Sequence, residues 1–240
     1  MKLTLEIWRQ EGPNAKGRYE HHTVAELDGS MSILEMLDRL NEQLVNSGKE
    51  PVTFESDCRE GICGACGIQV AGIPHGLERN TPACHQRLRS FHDGQTIRIE
   101  PFRSASYPVV RDLMVNRHAL DEMLGTAPDA DALPIDHETV EDALDYAACI
   151  GCGACVAACP NGSAHLYLGA KLTHLAMLPM PSQERTQRAR AMIDVAEENF
   201  GPCSNYGESA EVCPADIPLS AVAAVNKERL RATFKRRLDK

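Results

Sequence analysis

A chain of 240 residues with 43% hydrophobic and 25% charged side chains has the composition of an ordinary soluble globular protein, built as one large domain or two of ordinary size. Its formal net charge of −9 argues against nucleic acid as a partner, it reads as lacking a signal peptide, and no apolar stretch approaches the length of a membrane span. Ten cysteines without a secretion signal point to reduced thiolates in a reducing compartment, hence to a metalloprotein rather than a disulfide scaffold.

Residues 2–9 alternate apolar and polar at period two, and 19–27 resume an extended pattern after Gly12-Pro13-Asn14, which predicts a hairpin. From Ser32 the period becomes helical, with Ile33, Leu34, Leu37, Leu40 and Leu44 on one face and Gly48 as the stop. Residues 67–70 and 96–99 are strand-like, so the first part of the chain reads as a small α+β domain. Within it lies Cys58-Arg59-Glu60-Gly61-Ile62-Cys63-Gly64-Ala65-Cys66, with Cys84 eighteen residues further on. C-x4-C-x2-C…C is the plant-type pattern for a [2Fe–2S] cluster. Gly61, Gly64 and Gly67 let the chain wrap a cluster with its amides aimed at sulfur, which stabilises negative charge. Zinc or a disulfide would suit four cysteines in isolation, but not this spacing.

Pro101, Pro108 and an apolar-periodic run over 109–120 follow, and the domain boundary is placed near residue 105. Asp121 to Asp145 holds nine acidic residues and no Lys or Arg, with Pro128 and Pro134 inside, and reads as a solvated connection and outer helix. Then comes Cys149-Ile150-Gly151-Cys152-Gly153-Ala154-Cys155-Val156-Ala157-Ala158-Cys159-Pro160, an unbroken C-x2-C-x2-C-x3-C-P. In this bacterial-ferredoxin run three thiolates cap one cubane cluster while the cysteine before proline ligates a second. A structural zinc site, usually two C-x2-C pairs, fits it poorly. Residues 164–177 and 182–199 have helical spacing, separated by Pro179 and Pro181, so the carboxy-terminal half is mainly helical. The last fifteen residues, 226–240, carry seven basic and two acidic side chains, a solvated helix tail or a cationic patch for an anionic membrane surface.

The central run has a degenerate copy. Cys149 to Cys155 is six residues and Cys155 to Cys159 four; Cys203 to Ser209 is again six and Ser209 to Cys213 four, with Pro214 after it. Tyr206 then stands where Cys152 stands, and Ser209 where Cys155 stands. If each Cys-Pro thiolate crosses to the other cluster, Cys149, Cys152, Cys155 and Cys213 hold a [4Fe–4S] cluster. Cys159, Cys203 and the Ser209 position are left for the other, and with no thiol at Tyr206 a three-iron core, [3Fe–4S], is its natural occupant. Glu208 is an adjacent oxygen donor.

With both cysteine sets in this order, the chain closely resembles the iron–sulfur subunit of succinate dehydrogenase and fumarate reductase, respiratory complex II. The resemblance is carried by Cys58-Arg59-Glu60-Gly61-Ile62-Cys63-Gly64, by Tyr107-Pro108-Val109-Val110-Arg111-Asp112-Leu113, by the central run and by the Cys203 to Pro214 segment. Ala170-Lys171 and His174-Leu175 look most like the branch of actinobacteria and similar bacteria that use low-potential quinones such as menaquinone. The resemblance implies an α+β chain: a β-grasp plant-type ferredoxin domain over 1–104, then an all-α bacterial-type ferredoxin domain over 105–240. It implies a subunit that bridges an FAD-bearing catalytic subunit and a cytochrome b-type membrane anchor, with or without haem b. It implies electrons passing along [2Fe–2S], [4Fe–4S] and [3Fe–4S] to a quinone, with no bond chemistry on succinate in this chain. Pro160 and Ser163 are expected near the quinone site, and the protein is expected to be peripheral on the cytoplasmic face of the cell membrane. Ser209 departs from the family, which normally has a third cysteine there. The competing readings are the iron–sulfur subunit of a fumarate reductase or other flavin dehydrogenase, and a free ferredoxin-type carrier. No hydrolytic constellation stands out, and the nine histidines are scattered.

Overall fold

The structure, a computed structural model, describes residues 1–123 and 135–238, with side chains in the last helix as far as residue 231. The chain divides into two compact units, Met1–Asn116 with Glu211–Pro214, and Arg117–Ala210 with Ala215–Lys240.

In the first unit β1 (Leu3–Arg9) pairs antiparallel with β2 (Arg18–Val24), Leu3 opposite Val24 and Arg9 opposite Arg18. This is the expected hairpin. On its other edge β1 runs parallel to β5 (Thr96–Glu100), and the short strands β3 (Gln69–Val70) and β4 (Ile73–Pro74) complete a sheet of order β2-β1-β5-β3-β4. Period-two alternation puts Leu3, Leu5 and Ile7 wholly inside. Over them lies α1 (Ile33–Asn46), whose Ile33, Leu34, Met36, Leu37, Leu40 and Leu44 are buried in the same core. Each such side chain contributes about 1.5–3 kcal/mol by leaving water. The helix starts at a capping box between Ser32 and Glu35, and Gly48, at φ +70, turns the chain away at its end.

The apolar run after Pro108 becomes a ribbon, β6 (Val109–Arg111) and β7 (Met114–Val115), and a short helix, α2 (His118–Glu122). Buried Asp112 turns the ribbon and ties it to the sheet. Its carboxylate accepts from the amides of Gln10 and Thr53, each at 2.9 Å, and faces Arg9 Nε at 3.5 Å.

The second unit is helical, as expected: α3 (His137–Ala147), α4 (Ala154–Ala158), α5 (His165–Met177), α6 (Ser182–Asn199), α7 (Glu208–Glu211) and α8 (Ser220–Leu238). Buried α5 packs against α3, α6 and α8. Gly169 permits the closest approach, because a Cβ there would stand 2.0 Å from the carbonyl oxygen of Ala221 on α8. The outer helix anticipated in the acidic run is α3, on which Ala143 is buried. Residues 124–134, with Pro128 and Pro134, lie outside the described residues, as do the side chains of the basic tail beyond 231. Among the described residues no helix is long and apolar enough to cross a membrane.

Candidate metal centres

The loop between α1 and β3 gathers one set of thiols. The amides of Glu60 and Ile62, both at 3.4 Å, and of Cys63, at 3.3 Å, donate to Cys58 Sγ, and the amide of Ala65 donates to Cys63 Sγ at 3.4 Å. The Glu60, Cys63 and Ile62 amides, helped by the Cys63 thiol, draw the Cys58 thiol down to about 7. Burial pushes Cys66 up to about 12; the Cys84 amide opposes this, while charge on Cys84 and Cys63 adds to it. The loop can turn this tightly because Gly61 and Gly64 take left-handed φ angles of +74 and +70. Arg59, itself at φ +55, is clamped to Asp38 of α1, with Nη2 3.1 Å from Oδ1. Cys84 is held from behind. Buried His75 accepts the Ala83 amide at Nδ1, 3.2 Å, and the buried Gln86 side chain donates to the carbonyls of Glu78 at 2.7 Å and Thr81 at 3.0 Å.

In the helical unit Gly151 and Gly153, at φ +65 and +80, fold the loop that carries Cys149 and Cys152 into the start of α4, which bears Cys155 and ends at Cys159. Two cations reach the backbone of this loop. Arg117 Nη1 donates to the carbonyl of Cys152 at 2.8 Å, and Lys171 Nζ to that of Cys149 at 3.1 Å. Tyr167 lies beside them, its hydroxyl bonded to the Leu120 carbonyl at 3.1 Å. Burial, then charge on Cys149, Asp121 and Cys155, pushes that phenol above its ordinary value.

After Cys159 the chain turns through Gly162, whose amide donates to the Cys159 carbonyl at 2.8 Å. The Gly201 amide then donates to the Gly162 carbonyl at 3.3 Å, and a Cβ on Gly201 would stand 1.8 Å from the carbonyl oxygen of Asn161. This backbone contact lays the segment leading into Cys203 against the turn that follows Cys159. Beyond Cys203 the chain reverses at Asn205 and Gly207, φ +64 and +89, and enters α7. There Ser204 Oγ donates to Glu208 Oε1, while Glu208 Oε2 is buried with no hydrogen-bond partner. Burial raises the Glu208 carboxyl, but Ser204, the backbone and the Cys159 thiol together hold it below its usual value. Ser209, the residue marked by the register, follows half-buried on α7. Cys213 is buried in the segment Glu211–Pro214, which groups with the N-terminal unit and also carries the ion pair of Glu211 with Arg79. Pro160 is exposed, whereas Ser163 is buried, its hydroxyl 2.6 Å from His165 Nδ1.

None of the ten cysteines is in a disulfide. Among the described residues no group of three or more His, Cys, Asp or Glu is arranged to hold one metal ion. A donor set shared among several irons needs no such single-point shell.

The family model described as a 2Fe-2S iron-sulfur cluster binding domain matches residues 4–122, and that of a 4Fe-4S dicluster domain matches 148–217. The chain is 27% identical over 225 residues to the succinate dehydrogenase iron-sulfur subunit of Bacillus subtilis, covering 86% of this chain and 84% of that one. It is 27% identical over 227 residues to the fumarate reductase iron-sulfur subunit of Escherichia coli, covering 88% and 87%. The chain thus joins a 2Fe-2S cluster-binding domain to a 4Fe-4S dicluster domain and is similar along most of its length to the iron–sulfur subunits of succinate dehydrogenase and fumarate reductase. Its fold is that of a chain in the Mycobacterium smegmatis Sdh1 complex in the apo form, with a TM-score of 0.74 at 21% identity over 98% of this chain and 96% of that one.

For iron–sulfur clusters the donors fit unevenly. The amide-cradled Cys58 loop and the glycine-hinged Cys149 to Cys155 loop suit thiolate-bound clusters. Where a third thiol would complete the set of Cys159 and Cys203, oxygen donors stand instead. Sequence reasoning missed the residues that hold these loops from a distance: Asp38, His75, Gln86 and Arg117 had no motif, and Lys171 was marked only as part of a resemblance.

Proposed function

We propose that the chain is the electron-transfer subunit of a succinate:quinone oxidoreductase, linking an FAD-bearing catalytic subunit to a cytochrome b-type membrane anchor. One observation carries the reading: the amide-cradled Cys58 loop and the C-x2-C-x2-C-x3-C-P loop occur in this order on a single chain. Cys58, Cys63, Cys66 and Cys84 would hold [2Fe–2S]; Cys149, Cys152 and Cys155, joined in the register by Cys213, would hold [4Fe–4S]; Cys159 and Cys203, with an oxygen donor at the Ser209 end, would hold [3Fe–4S]. Bound there, the clusters would move single electrons between flavin and quinone.

Surface chemistry supports one docking surface on each unit. Ile62, at the tip of the Cys58 loop beside exposed Cys63, is 70% exposed, the kind of apolar contact a catalytic subunit would cover. In the helical unit Tyr206 is 87% exposed on the Cys203 loop, and Pro160 is exposed after Cys159, which suits an anchor and its quinone site there, with haem b, where present, in the anchor. We place the chain peripherally, on the cytoplasmic face, held there by the anchor; among the described residues no helix is long and apolar enough to cross a membrane.

The test is Cys63→Ala in the complex co-expressed with both partner subunits. We expect the rhombic [2Fe–2S] EPR signal and succinate-to-quinone transfer to be lost, while succinate still reduces the flavin. An unaltered [2Fe–2S] signal, or quinone reduction without it, overturns the reading.

A further inference from the structure

We propose that Glu208, rather than the Ser209 hydroxyl marked by the register, supplies the oxygen ligand that completes the third cluster site beside Cys159 and Cys203. The inference rests on the reading above that such a site exists.

Three observations converge on this side chain. Glu208 Oε2 is buried and has no hydrogen-bond partner, a state in which an anionic oxygen is stable only if a cation or a donor meets it. The other oxygen, Oε1, is anchored by the hydroxyl of Ser204, the residue that follows Cys203, so the carboxylate is tied to the loop of one proposed thiolate ligand. The turn after Cys159, the other proposed ligand, is packed on the segment that leads into Cys203, through the Gly201 amide on the Gly162 carbonyl at 3.3 Å. One carboxylate is therefore tied to the Cys203 loop, against which the turn after Cys159 is packed, and it has one oxygen to spare.

The chemistry favours it as well. A carboxylate is already an anion and donates a lone pair to iron as the Fe–O bond forms, with no proton to dispose of and no change of oxidation state. A serine hydroxyl would have to lose its proton first. Carboxylate oxygen is a harder donor than thiolate and favours the ferric core, so the site should have a lower midpoint than an all-thiolate one.

The experiment uses the assembled complex, purified and reconstituted anaerobically with iron and sulfide, and reads the three-iron EPR signal of the oxidised protein together with its redox titration. We expect Glu208→Gln to lose that signal while the [2Fe–2S] and [4Fe–4S] signals keep their intensity, and Ser209→Ala to keep all three. Glu208→Asp, which retains the charge but shortens the reach, should keep a weakened signal with a shifted midpoint. If Glu208→Gln loses every signal because the unit fails to fold, Glu208→Asp decides: a shifted midpoint supports the proposal and an unshifted one overturns it. Loss of the signal in Ser209→Ala with retention in Glu208→Gln assigns the ligand to serine, and retention in both assigns it to water; either result sinks the proposal. Absence of a third signal from the parent protein refutes the three-cluster reading itself, a different failure from loss in one variant alone.

Discussion

The Cys58 thiol takes its three amides from residues two to five positions along the same loop, whereas the loop of Cys149 and Cys152 is braced by Lys171 and Arg117, 22 and 35 residues away. The Cys58 donor set takes its amides from its own loop as it folds, while Asp38 clamps Arg59 and His75 and Gln86 hold the segment around Cys84. A set braced by distant cations depends on the packing of the helices that deliver them, and the proposed Cys159–Cys203 site depends further on two backbone segments in contact at Gly162 and Gly201. The helical unit should therefore be the more fragile of the two towards changes outside its cysteines.

The largest expected effect tests this directly, by adding one methyl group to each kind of loop. Gly201→Ala would put a Cβ 1.8 Å from the Asn161 carbonyl oxygen, so the segment before Cys203 must lift off the turn after Cys159. We expect the third cluster signal to vanish while the [2Fe–2S] signal stays. Gly61→Ala would meet only His85 and Pro82 at 3.4 Å, with the left-handed φ of +74 adding about 1 kcal/mol of strain. It should leave a [2Fe–2S] signal that is bleached more easily but present. Equal sensitivity of the two sites, followed by EPR on both variants, would abolish the contrast.

A smaller effect is expected from the braces. The reduced cluster carries more negative charge than the oxidised one, so a cation at the Cys149 carbonyl stabilises the reduced form. Lys171→Met should lower the [4Fe–4S] midpoint. Because Lys171 is partly solvated, the interaction is discounted to roughly 1 kcal/mol, on the order of 40 mV for one electron. Redox titration of the same preparation should find the [2Fe–2S] midpoint unmoved, and a [4Fe–4S] midpoint equal to that of the parent would show that the ammonium only anchors the backbone.

How far this contrast could be read from the sequence follows from its range. The hairpin, α1 and the cysteine loop were legible because period two, period 3.6 and C-x4-C-x2-C are local patterns. The limits of α6 coincided with the expected 182–199, since Pro181 and the aperiodic chain after Asn199 stop it on both sides. β4, with two residues, was too short to show a period, and the run after Pro108 did not reveal the ribbon that Asp112 pins to Gln10 across 102 residues. For the third site, a register count could mark Ser209, but only side-chain placement distinguishes it from Glu208, one position earlier on the same turn.

The smallest effect concerns how each unit starts its helices. Ser32 Oγ accepts the Glu35 amide at 3.2 Å and the Ser32 amide donates to Glu35 Oε2 at 2.6 Å, whereas α4, α5 and α6 begin at Gly153, Ala164 and Pro181 with no side-chain cap. Ser32→Ala should cost about 1 kcal/mol, read as faster amide exchange in the first turns of α1. The Ser32 amide, then its hydroxyl, holds the Glu35 carboxyl below its ordinary 4.5. A carboxyl depressed by folding stabilises the folded state above its unfolded value, and that contribution is lost as pH falls through the folded value. Glu35→Gln should therefore speed exchange at neutral pH and approach the parent under acid conditions, whereas the gap left by Ser32→Ala should persist in part, since its hydroxyl acceptor does not titrate. Asp38 sits on the next turn of the same helix and holds Arg59 in the cysteine loop, so fraying at the cap also loosens that clamp. The added exchange should spread to the amides of residues 59–63 in the Ser32→Ala protein, and protection there equal to that of the parent would mean that the loop holds its thiols without help from α1.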